Sequence, residues 1–219
     1  RSLFAERFDR LMRARKGAGL DALVIYADRE HCANLAFLTD FDPRFEEALM
    51  VIVPGRTPTI LAGPENLGRA AASAIDVEAV LYPPFGLMGQ DRTRTRPLAE
   101  LLRKAGLDAG QGIGVLGWKY FGPHEAEAPE TWLETPSFII DALRAIAGPS
   151  GTVVNANALL MHPSTGLRAV CEIDQIAQFE FSAVAASEAI KRLIANLRPG
   201  LREFEAVEAM RLNGLPQPC

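Results

Sequence analysis

The amino-acid sequence predicts an α/β fold: a mixed, about six-stranded sheet flanked by helices, followed by a long helix and a second helix. Three observations carry this. From Leu3 to Val154, short apolar runs alternate with amphipathic stretches of helical period. Two of those runs flank Pro54-Gly-Arg56, a hairpin signal, so the strand directions are mixed. The 219 residues, 48% hydrophobic and 23% charged, suffice for one domain with a real core and part of another.

The first element, Leu3 to Lys16, places Phe4, Phe8, Leu11 and Met12 on one helical face and Arg and Lys on the other, and Gly17 and Gly19 end it. Ala22 to Tyr26 reads as a buried strand. Asp28 is placed as the N-cap of a short helix through Asn34. Ala48–Val53 and Thr57–Leu61 form the hairpin. Glu65–Ser73 reads as helix and Val77–Tyr82 as strand. Pro97 opens a helix through Ala105, Ile113–Leu116 is a strand, and Pro136 opens a helix carrying Ile139, Leu143 and Ile146. Val153 and Val154 begin the last strand.

Beyond His162-Pro-Ser-Thr-Gly166 the pattern changes to one long helix ending at Leu197. Ile176, Phe179, Ala183, Ala186, Ile190, Leu193 and Leu197 form one apolar strip, with Ile173, Ala177, Phe181 and Val184 beside it. So wide an apolar surface requires packing partners on more than one side. Arg198-Pro-Gly200 stops it, and a last helix follows with Glu203 and Glu205 in its first turn, Arg211 in its last, and Gly214 as C-cap.

Composition excludes several function classes. The net charge is −4, and the densest basic run, Arg92-Thr-Arg94-Thr-Arg96, reads as a solvated loop, so no nucleic-acid partner is implied. No apolar run is long enough for a membrane helix and no signal peptide is seen, so no membrane partner is implied either. Cys32, Cys171 and Cys219 are scattered, which suits reduced, mostly packed thiols in a cytoplasmic protein. The chain starts at Arg1 rather than Met and is read as an engineered fragment or a trimmed product.

Several patterns imitate sites. Gly112-Ile-Gly-Val-Leu-Gly117 matches a dinucleotide fingerprint, yet its apolar residues themselves read as strand, with Gly at close-approach positions. Asp28, Glu30 and His31 resemble metal ligands, but adjacent residues on a helix diverge, and capping explains them better. Asp40 and Asp42, next to Pro43, read as an Asx-capped turn. The three histidines (31, 124, 162) are far apart, and His162 reads as part of a boundary loop.

Two stretches carry a family resemblance. Asn34-Leu-Ala-Phe-Leu-Thr-Asp-Phe41 resembles the Asn-x-x-Tyr-Leu-Thr-Gly-Phe stretch of the creatinase, prolidase and aminopeptidase P family, with Phe37 in place of Tyr and Asp40 in place of Gly. The strand pair around Pro54-Gly-Arg56 and the Gly63-Pro-Glu-Asn66 stretch continue the likeness. Arg168-Ala-Val-Cys-Glu-Ile173 with Arg198-Pro-Gly-Leu-Arg-Glu-Phe-Glu205 is similar to the run that opens the family's pita-bread catalytic domain, with Arg168 for Lys and Arg202 for Thr.

The resemblance implies a creatinase N-terminal domain of ribonuclease H-like type over residues 1–165, then the first two helices of a truncated pita-bread domain over 166–219. It implies a parent metallopeptidase that hydrolyses Xaa-Pro bonds, or a creatinase-like amidinohydrolase, using two divalent metals such as Mn, Co or Zn held by two Asp, one His and two Glu. Those ligands belong beyond the Arg198-Pro-Gly segment, so no catalytic or metal residue is assigned here, and the chain alone is expected to be inactive. The implied roles are homo-oligomerisation, most simply as a dimer, and shaping of the peptide-substrate entrance by Phe37, Asp40 and Arg44. The rival reading is a stand-alone binding or assembly module that docks through the long helix.

Overall fold

The computed structural model describes residues 2–212 and 214. Cys219 and the Pro216–Cys219 ending lie outside the described residues. The chain divides into two compact units between Ala169 and Val170.

The first unit is built on one six-stranded sheet. Its strands are β1 (Ala22–Ala27), β2 (Ala48–Ile52), β3 (Thr59–Ala62), β4 (Glu78–Leu81), β5 (Gly112–Leu116) and β6 (Thr152–Asn155), in the spatial order β4-β3-β2-β1-β5-β6. β1 pairs antiparallel with β2, and β2 with β3, while β1/β5, β5/β6 and β3/β4 are parallel. The hairpin turn is where the sequence puts it, and Gly55 there takes φ +78°, a conformation that only Gly adopts without cost.

Among the described residues, six α-helices accompany the sheet: α1 (Leu3–Gly17), α2 (Ala33–Thr39), α3 (Leu67–Ala71), α4 (Leu98–Lys104), α5 (Ser137–Ala147) and α6 (Ala158–Met161). Side chains alternate along each strand, so the sheet serves two cores. Val24 and Tyr26, with Leu49, Ile113 and Val115, pack against α4 and α5 through Leu101, Leu102, Ile139 and Leu143. Leu23, Ile25, Met50 and Ile60 pack on the other face with Leu11 of α1, Leu35 and Leu38 of α2, and Leu160 of α6. All six residues of β1 are buried, which is why it reads as a continuous apolar run rather than an alternating one.

Several sequence expectations need correction. No helix starts at Asp28: its carboxylate accepts the backbone N–H groups of Glu30 and His31 in a turn, and the helix begins at Ala33. The Glu65–Ser73 helix shrinks to the five residues of α3, and α6 went unread because it is a single turn. Arg7 is not on a solvated face. It is buried, donates to the Phe37 carbonyl at 3.0 Å, and lies 4.2 Å from the centre of the Phe37 ring. Asp42 forms ion pairs with Arg69 (2.9 Å) and Arg44 (3.7 Å) instead of an Asx turn. Cys171 is exposed, not packed.

The second unit holds α7 (Ile173–Asn196) and α8 (Glu203–Met210), which pack on each other. Arg192 Nε donates to the Met210 carbonyl at 2.8 Å. Glu205 accepts the Arg202 backbone N–H at 2.9 Å, securing the start of α8. The end of α8 differs from expectation: Arg211, at φ 49°, is the C-cap, and Gly214 lies beyond it. Ala189 is the one buried residue in α7, and Ile176, Phe179, Ile190, Ile194 and Leu197 are exposed.

Candidate functional site

The parallel strands β1, β5 and β6 end on the same side of the sheet. Loops at the carboxyl ends of parallel strands are where α/β folds place ligands. Here those loops are tied together by a hydrogen-bonded bracket.

Its first knot is Glu134. One oxygen of that carboxylate accepts from the backbone N–H of Trp118 (2.7 Å), the N–H of Lys119 (2.8 Å) and Asn157 Nδ2 (2.8 Å). The carboxylate can come so close because residue 117 is Gly. A Cβ there would lie 2.4 Å from that oxygen. Gly114 serves packing in the same strand: a Cβ would fall within 2.9 Å of Leu20, Ala156 and Leu23 side-chain atoms. The Gly112–Gly117 pattern is thus a strand whose glycines admit close neighbours, and no helix opens within it.

The second knot is Asn34. Buried in α2, its Nδ2 donates to the Gly117 carbonyl at 2.8 Å, and its Oδ1 accepts from Arg168 Nη1 at 2.7 Å. Asn34 opens the first family-like stretch and Arg168 the second. The two stretches, 134 residues apart in sequence, meet through this bond.

Beside the bracket lies a titratable group. His31 Nδ1 sits 2.9 Å from Asp28 Oδ1, and its ring stacks on Trp118 with centroids 4.3 Å apart. The Tyr26 hydroxyl donates to Glu47 at 2.9 Å. Burial, then the nearby Glu47 charge, pushes the Tyr26 phenol far above its ordinary range. Burial also raises Glu47. Burial acts to raise Asp28 too, but the His31 side chain and the His31 and Glu30 N–H groups outweigh it and hold this carboxyl below its usual value. Among the described residues, no group of three or more His, Cys, Asp or Glu is placed to hold a metal ion. These residues therefore do not fit a dimetal centre.

Of the residues proposed for an entrance, Phe37 is buried beneath Arg7. Asp40 is exposed and caps α2 with φ 58°. That left-handed position explains why a Gly is natural there. Arg44 is exposed, and its carbonyl accepts from Asn66 Nδ2 at 2.8 Å. His162 uses Nδ1 as an acceptor for the Ser164 and Thr165 N–H groups, a turn-capping role. Sequence reading missed Glu134, Asn157 and the Asn34–Arg168 contact. The only local signal was Gly117, which marks a close approach without naming the visitor.

A family profile described as Creatinase/Prolidase N-terminal domain matches residues 7–146. A search of curated proteins finds no match. Among solved structures, a prolidase from Pyrococcus horikoshii OT3 aligns with TM-score 0.62 and 17% identity, covering 95% of this chain and 49% of that one. A recombinant prolidase from Thermococcus sibiricus aligns with TM-score 0.64 at 11% identity, covering 96% and 49%. An Xaa-Pro dipeptidase from Bacillus anthracis gives 0.60 at 15%, covering 94% and 47%. The chain spans about half the length of these structures.

Proposed function

Because the chain belongs to the Creatinase/Prolidase N-terminal domain family, we propose that it is the non-catalytic N-terminal part of a cytoplasmic dimetal hydrolase acting on Xaa-Pro peptide bonds. Its own work is to support a homo-oligomer, most simply a dimer, and to shape the substrate entrance. The observation that carries this reading is one of coverage. The likeness runs through nearly all of this chain but only half of each prolidase, and the described residues contain no metal-holding group. The two metals would be held by residues outside those described.

In this role the bracket of Glu134, Asn157, Asn34 and Arg168 holds the loops in place. Phe37 acts from inside, fixing α2 under Arg7, while Asp40 and Arg44 present opposite charges to solvent.

The test compares the chain alone with its whole reading frame. The chain alone should cleave no Xaa-Pro dipeptide and show no micromolar Mn, Co or Zn binding by calorimetry. The longer protein should do both. Cleavage by the chain alone would overturn the reading. In the longer protein, Asp40→Ala and Arg44→Ala should raise KM for the dipeptide, and an unchanged KM would remove both from the entrance. A second reading, a stand-alone assembly module docking through α7, is favoured by the exposed Ile176, Phe179 and Ile194. A reading frame that continues into an Asp, Asp, His, Glu, Glu series would count against it.

A further inference from the structure

Arg168 is a half-buried cation without an acidic partner among the described residues. Among the described residues, its guanidinium makes one hydrogen bond, to the neutral Asn34 Oδ1. A guanidinium carries five N–H donors in a planar fork, so most of its capacity is unspent. Burial lowers its pKa only from a very high starting value, and it stays charged. Arg168 lines a cleft of about 180 Å³ together with Glu30, His31, Asn34, Trp118 and Met161. A half-buried charge facing such a space is unfavourable unless something complements it.

The shape and chemistry of the cleft select the complement. At about 180 Å³ it is smaller than the roughly 300–1,000 Å³ of drug-sized pockets, so the ligand is small. The stacked His31–Trp118 pair supplies a flat wall for an apolar or planar body. Arg168 supplies the fork that matches a carboxylate. Asn34 fixes that fork from below, through its anchored amide. Glu30 also lines the cleft, and its negative charge discriminates against a doubly charged anion such as phosphate.

We propose that this cleft binds a small monocarboxylate, its carboxylate on the Arg168 guanidinium and its body along Trp118. This goes beyond the scaffolding role, and neither proposal requires the other.

The test uses the 219-residue chain with Trp132→Phe, leaving Trp118 as the sole indole reporter. Sodium benzoate, benzamide and inorganic phosphate are titrated at constant ionic strength while Trp118 fluorescence is followed. Benzoate should give saturable binding in the millimolar range. Benzamide, which has the same shape without the charge, should bind about tenfold or more weaker. Arg168→Gln should lose benzoate binding, and Arg168→Lys should keep the charge but lose about tenfold by breaking the fork. The benzoate–benzamide contrast needs no variant, so it decides even if Arg168→Gln does not fold. An N-acetylated peptide acid matching benzoate, with its C-terminal amide inert, would identify a chain terminus as the source of the carboxylate. Equal binding of benzoate and benzamide, phosphate binding as tightly as benzoate, or no saturation at all would overturn the proposal.

Discussion

β1 and α7 are both rich in apolar side chains, yet β1 buries all six of its residues and α7, with 24 residues, buries Ala189 alone. The difference lies in what each element meets. β1 is covered by helices on both faces of the sheet. α7 has α8 for company in its unit, and a single short helix covers one narrow stripe. Apolar pattern alone therefore tells how much surface an element must hide, and not whether the hiding has been done. Since a buried Leu, Ile or Phe contributes about 1.5–3 kcal/mol, the exposed face of α7 represents stabilisation not drawn within these residues.

Substitutions can break or sharpen that contrast. The largest effect should come from the sheet: Leu49→Ala, where Leu49 of β2 is fully buried in the core shared with α4 and α5, is expected to cost about 2–5 kcal/mol in urea unfolding. Next is Glu134→Gln, which weakens the shared acceptor of three donors and should cost about 1–3 kcal/mol by the same assay. Asp40→Val, forced to keep φ near 58°, should cost about 1–3 kcal/mol, whereas Asp40→Gly should be nearly neutral. The smallest effect belongs to α7: Ile194→Ser should change stability by less than about 0.5 kcal/mol. A cost of several kcal/mol there would mean that another surface covers α7 in solution.

The pH dependence has two opposed parts. Glu47 has a raised pKa in the fold, so the native state holds its proton more tightly than the unfolded chain does. That contribution is present below the ordinary glutamate range, about 4.3, and is lost as pH rises from there through the folded value. Asp28 has a lowered pKa, so its contribution is present above the ordinary aspartate range and is lost as pH falls through the folded value. Glu47→Gln should remove the loss of stability on the rising side and leave the acid side unchanged, as read from thermal midpoints across pH 3–8.

Much of the sheet was legible in the sequence, because the information is local. Ala48–Ile52 and Thr59–Ala62 pair around Pro54-Gly55 as their patterns demand, and Gly112–Leu116 is the strand its apolar residues indicate. The mixed sheet with flanking helices is the predicted fold class. The bracket was not legible, because its bonds join residues such as Asn34 and Gly117, 83 apart, or Asn34 and Arg168, 134 apart. Nothing near Glu134 in sequence distinguishes it from an ordinary solvated carboxylate. Arg7 misled for another reason: its charge suggested a solvated position although, four residues before Leu11, it shares that residue's helical face, and the Phe37 ring and carbonyl that receive it come from another helix.

The single Glu134 oxygen that gathers Trp118 and Lys119 has a kinetic corollary. Two amides anchored to the same atom lose protection in one event, when that carboxylate swings away. In deuterated water they should show the same protection factor, while amides within β1 wait for the sheet itself to open.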